Sequence, residues 1–350
     1  MKKLKKIPLK RRRKKIEEPT PGRITNETVA EHRERILAGG RKFKYPHQYV
    51  RHKLVINAVL ITLAVVVVAA LVGWWQLYVA QNTSEFMYRV TRVLPLPVGA
   101  VDGETMRYSD YLMRYRSQEL WLRNQGQLGL NGNDEQVQLN FYKRKVIDGL
   151  EADTYAQKIA RELGLAVSSD EVQAAIDETR KTASGEISQT VYDASTQDTL
   201  GYSPDEYRHI LRQSLLRQKV AYAVDKKATE AKNKVSALLK KEKDPSLEKV
   251  VDTLKKQGIN VEFGASGMVP TNNQDGGLSE TALELKDDEI SQPIKSTTGD
   301  GYYFIQRLAK TDRQVSYQFI HVPLTVFEKQ FNQVVNQNKV VEYIAIKKEE

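Results

Sequence analysis

From Leu54 to Val79 the sequence reads LVINAVLITLAVVVVAALVGWWQLYV, a stretch without a single charge. At about 1.5 Å per helical residue it reaches roughly 39 Å, more than the roughly 30 Å of hydrocarbon in a bilayer. The segment can therefore cross a membrane with some tilt. A core helix of a soluble domain is usually shorter and seldom apolar on every face. The flanks agree with a span: Arg51 and Lys53 precede it, and Trp74, Trp75 and Tyr78 cluster at its far end as in half of an aromatic belt. Asn57, Thr62 and Gln76 lie toward the ends or can hydrogen-bond within the helix, so they do not oppose insertion.

Charge predicts the orientation. Residues 1–53 hold 18 lysines and arginines against 5 glutamates, which leaves 36 basic and 39 acidic residues beyond Lys53. The basic character belongs to the tail alone. A basic flank retained in the cytoplasm puts the N-terminus inside and the large C-terminal part outside. The apolar run is too long and too far from residue 1 for a cleaved signal peptide. Cysteine is absent, which removes disulfides, thiol nucleophiles and cysteine zinc sites.

The block KKLKKIPLKRRRKK within residues 1–15 repels itself and is expected to be disordered. Anionic headgroups or RNA could attract it, but no aromatic residue interleaves with the cluster, so it reads as a solvated topology signal without a specific nucleic acid. Ala30–Leu37 suggests a short charged helix ended by Gly39 and Gly40. Gln81–Val98 reads as a linker, with Pro95 and Pro97 favouring extended chain. Val98–Val101, Asp102-Gly103 and then Ser109 predict a strand, a turn and a capped helix.

Helices dominate from there to about residue 241. Val146, Leu150, Ala156, Ile159, Ala160 and Leu163 share a face, and Gly164 is placed to end that helix. Ser168 with Glu171, and Ser203 with Pro204 and Glu206, are capping-box starts. Between those two helices, Gly185–Tyr202 reads as a polar loop.

The segments VGAVDGETMRYSDY, VIDGLEADTYAQKIARELGLAVSSDEVQAAI and GYSPDEYRHILRQSLLRQKVAYAV, taken in that order, resemble the N-terminal chaperone domain of the SurA, PpiD and PrsA family of extracytoplasmic foldases. The resemblance covers roughly residues 98–224. It implies a helical domain that cradles unfolded segments of client proteins, with Tyr111, Leu150, Ile176, Tyr207 and Leu211 as client-binding candidates. Anchoring by one N-terminal helix with its basic end inside is most similar to the PpiD type.

Beyond Asp225, Leu247, Val250, Val251 and Leu254 predict a helix ended by Gly258. Ile259, Val261 and Phe263 alternate as a strand, and so do Val315, Tyr317, Phe319 and His321. A small α+β domain follows, with helices expected on one face of an antiparallel sheet. Here the sequence looks like a parvulin-type prolyl isomerase: Gly267-Met268-Val269-Pro270 and the segment ALELKDDEISQPI resemble family segments. Gly301-Tyr302-Tyr303-Phe304-Ile305 stands where the family has glycine, tyrosine, histidine and two apolar residues. Position 303 is thus tyrosine, and the family's opening strand with its own histidine is not found ahead of Ala228. No phenylalanine in TNNQDGG matches the one that lines the family's proline pocket. SYQFIHVPL, residues 316–324, resembles the missing opening strand; in the manner of a circular permutation it could fill that place and bring His321 near Met268 and Tyr303.

The expected architecture is a single transmembrane helix, an α-helical SurA N-like domain and a small α+β parvulin-like domain. The segments are a cytoplasmic tail at 1–53, the span at 54–79, a linker at 80–97, the chaperone domain at 98–224, a degenerate parvulin-like domain at 225–324 and a C-terminal helix at 325–350. The expected role is a membrane-anchored extracytoplasmic chaperone for unfolded or newly translocated polypeptides, with Tyr303, His321 and Met268 as the candidate catalytic set. An active prolyl isomerase, or an envelope scaffold recruiting partners through the tail, are the alternatives. No cofactor or metal is expected, since His209 and His321 are the only histidines past the span.

Overall fold

The computed structural model describes residues 25–44, 46–126, 132–182, 185–241 and 245–346. The basic block of residues 1–15 lies outside them. The chain divides into two units, Met1–Gly73 and Trp74–Glu350.

In the first unit α1 (Asn26–Lys44) is a charged helix that continues through the glycines expected to end it. The following helix α2 (Pro46–Trp74) carries the apolar stretch, and every residue from Lys53 to Val72 is exposed. Among the described residues one helix, Lys53–Val79, is long and apolar enough to cross a membrane. Within it Thr62 Oγ1 donates to the Ala58 carbonyl at 2.9 Å, so its hydroxyl is satisfied inside the helix.

The second unit opens with a π turn, Trp75–Val79, and then the expected linker is itself folded: α3 (Glu85–Val93) starts on an N-cap made by Ser84. Then come β1 (Pro97–Val101) and β2 (Glu104–Arg107), paired around Asp102-Gly103, whose φ angles of 47° and 86° suit an Asp-Gly turn. Helix α4 (Tyr108–Asn124) begins one residue before Ser109, which therefore does not cap it. Helices α5 (Gly132–Leu163) and α6 (Ser169–Thr179) follow, with Gly164 at φ 67° between them and the Ser168–Glu171 capping box formed. After the two-residue strands β3 (Lys181–Thr182) and β4 (Gly185–Glu186), the expected loop contains a helix, α7 (Gln189–Leu200). Helix α8 (Pro204–Val224) then starts on the Ser203–Glu206 box.

The α+β part begins with α9 (Lys226–Leu239) and α10 (Leu247–Lys256) and continues through β5 (Glu262–Pro270), α11 (Leu278–Glu284), β6 (Ile294–Lys295), β7 (Gly301–Lys310) and β8 (Gln314–Pro323). Its antiparallel sheet has the order β5-β8-β7-β6, so the last strand takes a central place. Helices cover both faces, not one. Tyr302, Phe304, Ile320 and Val322 pack on the α9 and α10 side, while Tyr303, Ile305, Val315 and Tyr317 pack on the α11 side. The uninterrupted apolar run Tyr302–Ile305 is what a strand buried on both faces requires.

The chain then returns to the helical part. Helix α12 (Val326–Asn336) ends before Asn338 at φ 54°, and the last segment is a strand, β9 (Val340–Glu342), where a single helix was expected. β9 pairs antiparallel with β1, giving a sheet ordered β2-β1-β9. Val334, Ile344, Phe327 and Phe331 join Val98, Met106, Tyr108 and Ile147 in one core. The α+β part is therefore spliced into the helical part between α8 and α12.

Asp225 stands at that splice. Its carboxylate is 1% exposed. Oδ1 accepts the Ala228 amide at 2.8 Å, and Oδ2 accepts the amides of Thr325 at 2.8 Å and Val326 at 3.1 Å. One side chain thus caps α9 and holds the returning strand where it enters α12.

Candidate functional site

On the α11 face of the larger sheet the register sets Tyr303 directly opposite His321. Their rings stack at 4.4 Å between centroids and 13° between planes. Phe319, one step along the same face, meets the Tyr303 ring edge-on at 5.5 Å. Its own ring occupies the space over Gly264, where a Cβ would collide with it.

Polar groups tie this cluster down. The Tyr303 hydroxyl donates to Asp300 Oδ2 at 2.6 Å, and Thr298 donates to Asp300 Oδ1 at 2.8 Å. Burial pushes the Asp300 carboxyl up, but the hydroxyls of Tyr303, Ser296 and Thr298 and the nearby His321 outweigh it and hold the group below the usual range. Burial, and then the carboxylate it is bonded to, push the Tyr303 hydroxyl far above its ordinary value. His321 Nδ1 lies 3.4 Å from Glu262 Oε2, while Nε2 is buried without a hydrogen-bond partner, 3.9 Å from Asp300 Oδ2. Tyr303 is 8% exposed and the His321 side chain 14%. The pair is part of the packed sheet, and the Tyr303 hydroxyl keeps its proton at neutral pH.

Met268 does not join it. It pairs with Ser316, five positions along β8 from His321, or about 17 Å at roughly 3.4 Å per residue. A bulge between Ala265 and Met268 also shifts the alternation, so Val269 packs on the α11 face and Met268 belongs to the other. The expected trio is thus a pair, with Met268 separate and 44% exposed.

The client-binding candidates do not form one surface either. Tyr111, Leu150 and Ile176 are 0%, 1% and 1% exposed and belong to the interior. Tyr207 is half-buried under Tyr192, whose hydroxyl donates to its own at 2.8 Å, and Leu211 is half-buried on the same helix. The sequence reading missed a groove of about 380 Å³ between α3, α4 and the start of α8, lined among others by Thr83, Tyr88, Met113, Arg116, Leu120 and Glu206. Tyr88 donates its hydroxyl to Glu206, and the Arg116 guanidinium lies over the Tyr88 ring at 5.2 Å. Burial raises the Glu206 carboxyl, yet bonds from Tyr88 and Ser203 and the charge of Arg92 hold it below the usual range. His209, with 42% of its side chain exposed, lies 3.2 Å from Asp110 Oδ1 through Nε2. Among the described residues no group of three or more His, Asp or Glu is placed to hold a metal ion.

A hairpin-and-helix domain closed by its own C-terminal strand, with a small α+β part spliced into it and an apolar helix ahead of it, defines the class. Residues 48–221 match the family model described as the SurA-like N-terminal domain, and this part of the chain is SurA-like. No curated protein matches the sequence. Among solved structures, one from a study of PEB4 and Cj1289, described as structurally related SurA-like chaperones of the human pathogen Campylobacter jejuni, matches at 14% identity with a TM-score of 0.25. That match covers 69% of this chain and 90% of the other.

Proposed function

We propose that the protein is a membrane-anchored extracytoplasmic chaperone that holds unfolded polypeptides, and that its α+β part is a parvulin-like domain without strong isomerase activity. The SurA-like N-terminal domain is the observation that carries a chaperone or foldase role. The exposed apolar helix supports anchoring, and the basic residues ahead of it support an inside N-terminus. Unfolded clients share backbone amides and apolar side chains, so a sequence-tolerant surface is what they need. The groove beside α4, apolar at Met113 and Leu120 and polar at Arg116 and Glu206, offers both. The test is aggregation of a chemically unfolded protein with the full chain present in detergent micelles. Suppression at near-stoichiometric ratio is expected; unchanged aggregation counts against the reading.

Rotation about a prolyl bond faces a barrier of about 18–20 kcal/mol. Lowering it takes an apolar pocket and fixed polar groups that meet the twisted carbonyl. The central position of β8 supports the permuted parvulin reading, since it brings His321 against Tyr303. Yet the Tyr303 hydroxyl is committed to Asp300 and both rings are packed away from solvent. Proline-peptide isomerisation with the full chain is therefore expected to run at the uncatalysed rate, in tens to hundreds of seconds. Clear acceleration that is lost in Tyr303→Ala or His321→Ala would make the chain a working isomerase.

A further inference from the structure

The end of the apolar stretch is not a free tether. In the second unit the π turn Trp75–Val79 sinks Leu77 into the core at 1% exposure. The Tyr108 hydroxyl donates to the Leu77 carbonyl at 2.5 Å, and the Tyr78 hydroxyl to that of Pro97 at 2.6 Å. Trp74, Trp75 and Val79 remain more than half exposed.

The chain then folds straight back. Gln81 takes a left-handed φ of 48°, the Asn82 amide donates to the Gln76 carbonyl at 2.9 Å, and the Asn82 side chain donates to Gln76 Oε1 at 2.9 Å. Helix α3 consequently begins close to the turn. Its inner side buries Tyr88 and Thr91. Its outer side carries Phe86 at 67% exposure and Val93 at 80%, two turns apart on one face, with Leu94 following. Helices on a water-facing surface normally turn polar residues outward, and this one presents large apolar residues there, beside the exposed Arg89 and Arg92.

We propose that this face of α3, together with Trp74, Trp75 and Val79, rests in the interfacial layer of a lipid bilayer and seats the foldase part directly on the membrane surface. The inference rests on the membrane reading of Leu54–Val79. Lipid is the occupant because the face follows the apolar stretch after only the short turn at residues 80–84 and, with the end of that stretch, carries interface-seeking side chains: tryptophan, phenylalanine and arginine next to aliphatic residues. Within the second unit the clamped turn ties Trp75–Val79 directly to the start of α3.

The absence of cysteine makes the test direct, since single-cysteine variants accept one nitroxide label each. Val59→Cys, Phe86→Cys, Val93→Cys and Leu308→Cys are prepared as full chains in vesicles of phosphatidylcholine and phosphatidylglycerol. Collision rates with oxygen and with a polar nickel chelate are then read by spin resonance. Val59 lies within the apolar stretch, and Leu308 is an exposed water reference on β7. The expected result is an oxygen-to-nickel ratio several-fold above that of Leu308 at Val59, Phe86 and Val93 alike. An oxygen-rich Val59 with Phe86 and Val93 at the Leu308 ratio overturns the seating and leaves the membrane reading standing. A Val59 label at the water ratio removes the membrane reading itself, and the seating with it. Labels at Phe86 and Val93 shielded from both quenchers mean that protein covers the face, which also overturns the proposal.

Discussion

Asp225→Ala is expected to lower folding stability by about 3–5 kcal/mol, read as a fall in the urea midpoint of the full chain in detergent micelles. With the carboxylate gone, the amides of Ala228, Thr325 and Val326 lose their acceptor, the first in the interior and the other two half-buried. Each unsatisfied buried donor costs about 1–3 kcal/mol. Asp225→Asn should recover only part of the loss, because its amide nitrogen must face at least one backbone N–H. The effect reaches both parts of the second unit, since α9 leaves the helical part at this residue and α12 re-enters beside it. An alanine variant within 1 kcal/mol of the parent would show that the splice is held elsewhere.

Arg144→Met should be nearly as damaging, and its damage should depend on pH. The guanidinium meets both carboxylate oxygens of Glu342 at 2.9 Å, Asp148 at 2.6 Å and Glu151 at 3.1 Å. Removing it leaves three carboxylates, two of them well buried, without their cation, which costs about 3–5 kcal/mol at pH 8. Burial pushes the Glu151 carboxyl up to about 7, Arg144 opposes this, and the charges of Glu342 and Asp148 add to it. A carboxyl raised on folding favours the folded state while it is protonated in both states. That contribution is full below its unfolded value near 4.5 and is lost as pH rises through about 7. The parent should thus be more stable near pH 5 than near pH 8 on account of this group, by at most about 3 kcal/mol, and Glu151→Gln should flatten the slope. In Arg144→Met the loss near pH 5 should be roughly half that near pH 8, because Glu151 sheds its charge. A pH-independent loss would remove Glu151 from the explanation.

Much of the helical part was legible because its signals are local. The Ser168–Glu171 and Ser203–Glu206 boxes and Gly164 each act within a few residues of themselves. Helix α7 escaped because it buries no residue and so has no apolar stripe, although Ser188 and Gly201 cap its two ends. Helix α3 escaped because Phe86 and Val93 face outward while Met87 and Tyr88 face the core, which blurs a single apolar stripe beside the proline pair. In the α+β part, Tyr303 and the late strand carrying His321 were readable, and the structure brings these two together. The side that Met268 takes was not, since a bulge of one residue inverts the alternation without changing composition. The same limit hid β9, whose pairing with β1 joins the two ends of the second unit and has no local signature.

That pairing bears on how the protein is made. Gly99 is bonded across to Glu342, so the opening hairpin emerges long before the strand that completes it. During synthesis the first sheet keeps a bare edge, able to accept a stray strand, until the α+β part has been produced and the final segment arrives. A chain cut short before Val340 would carry that edge permanently.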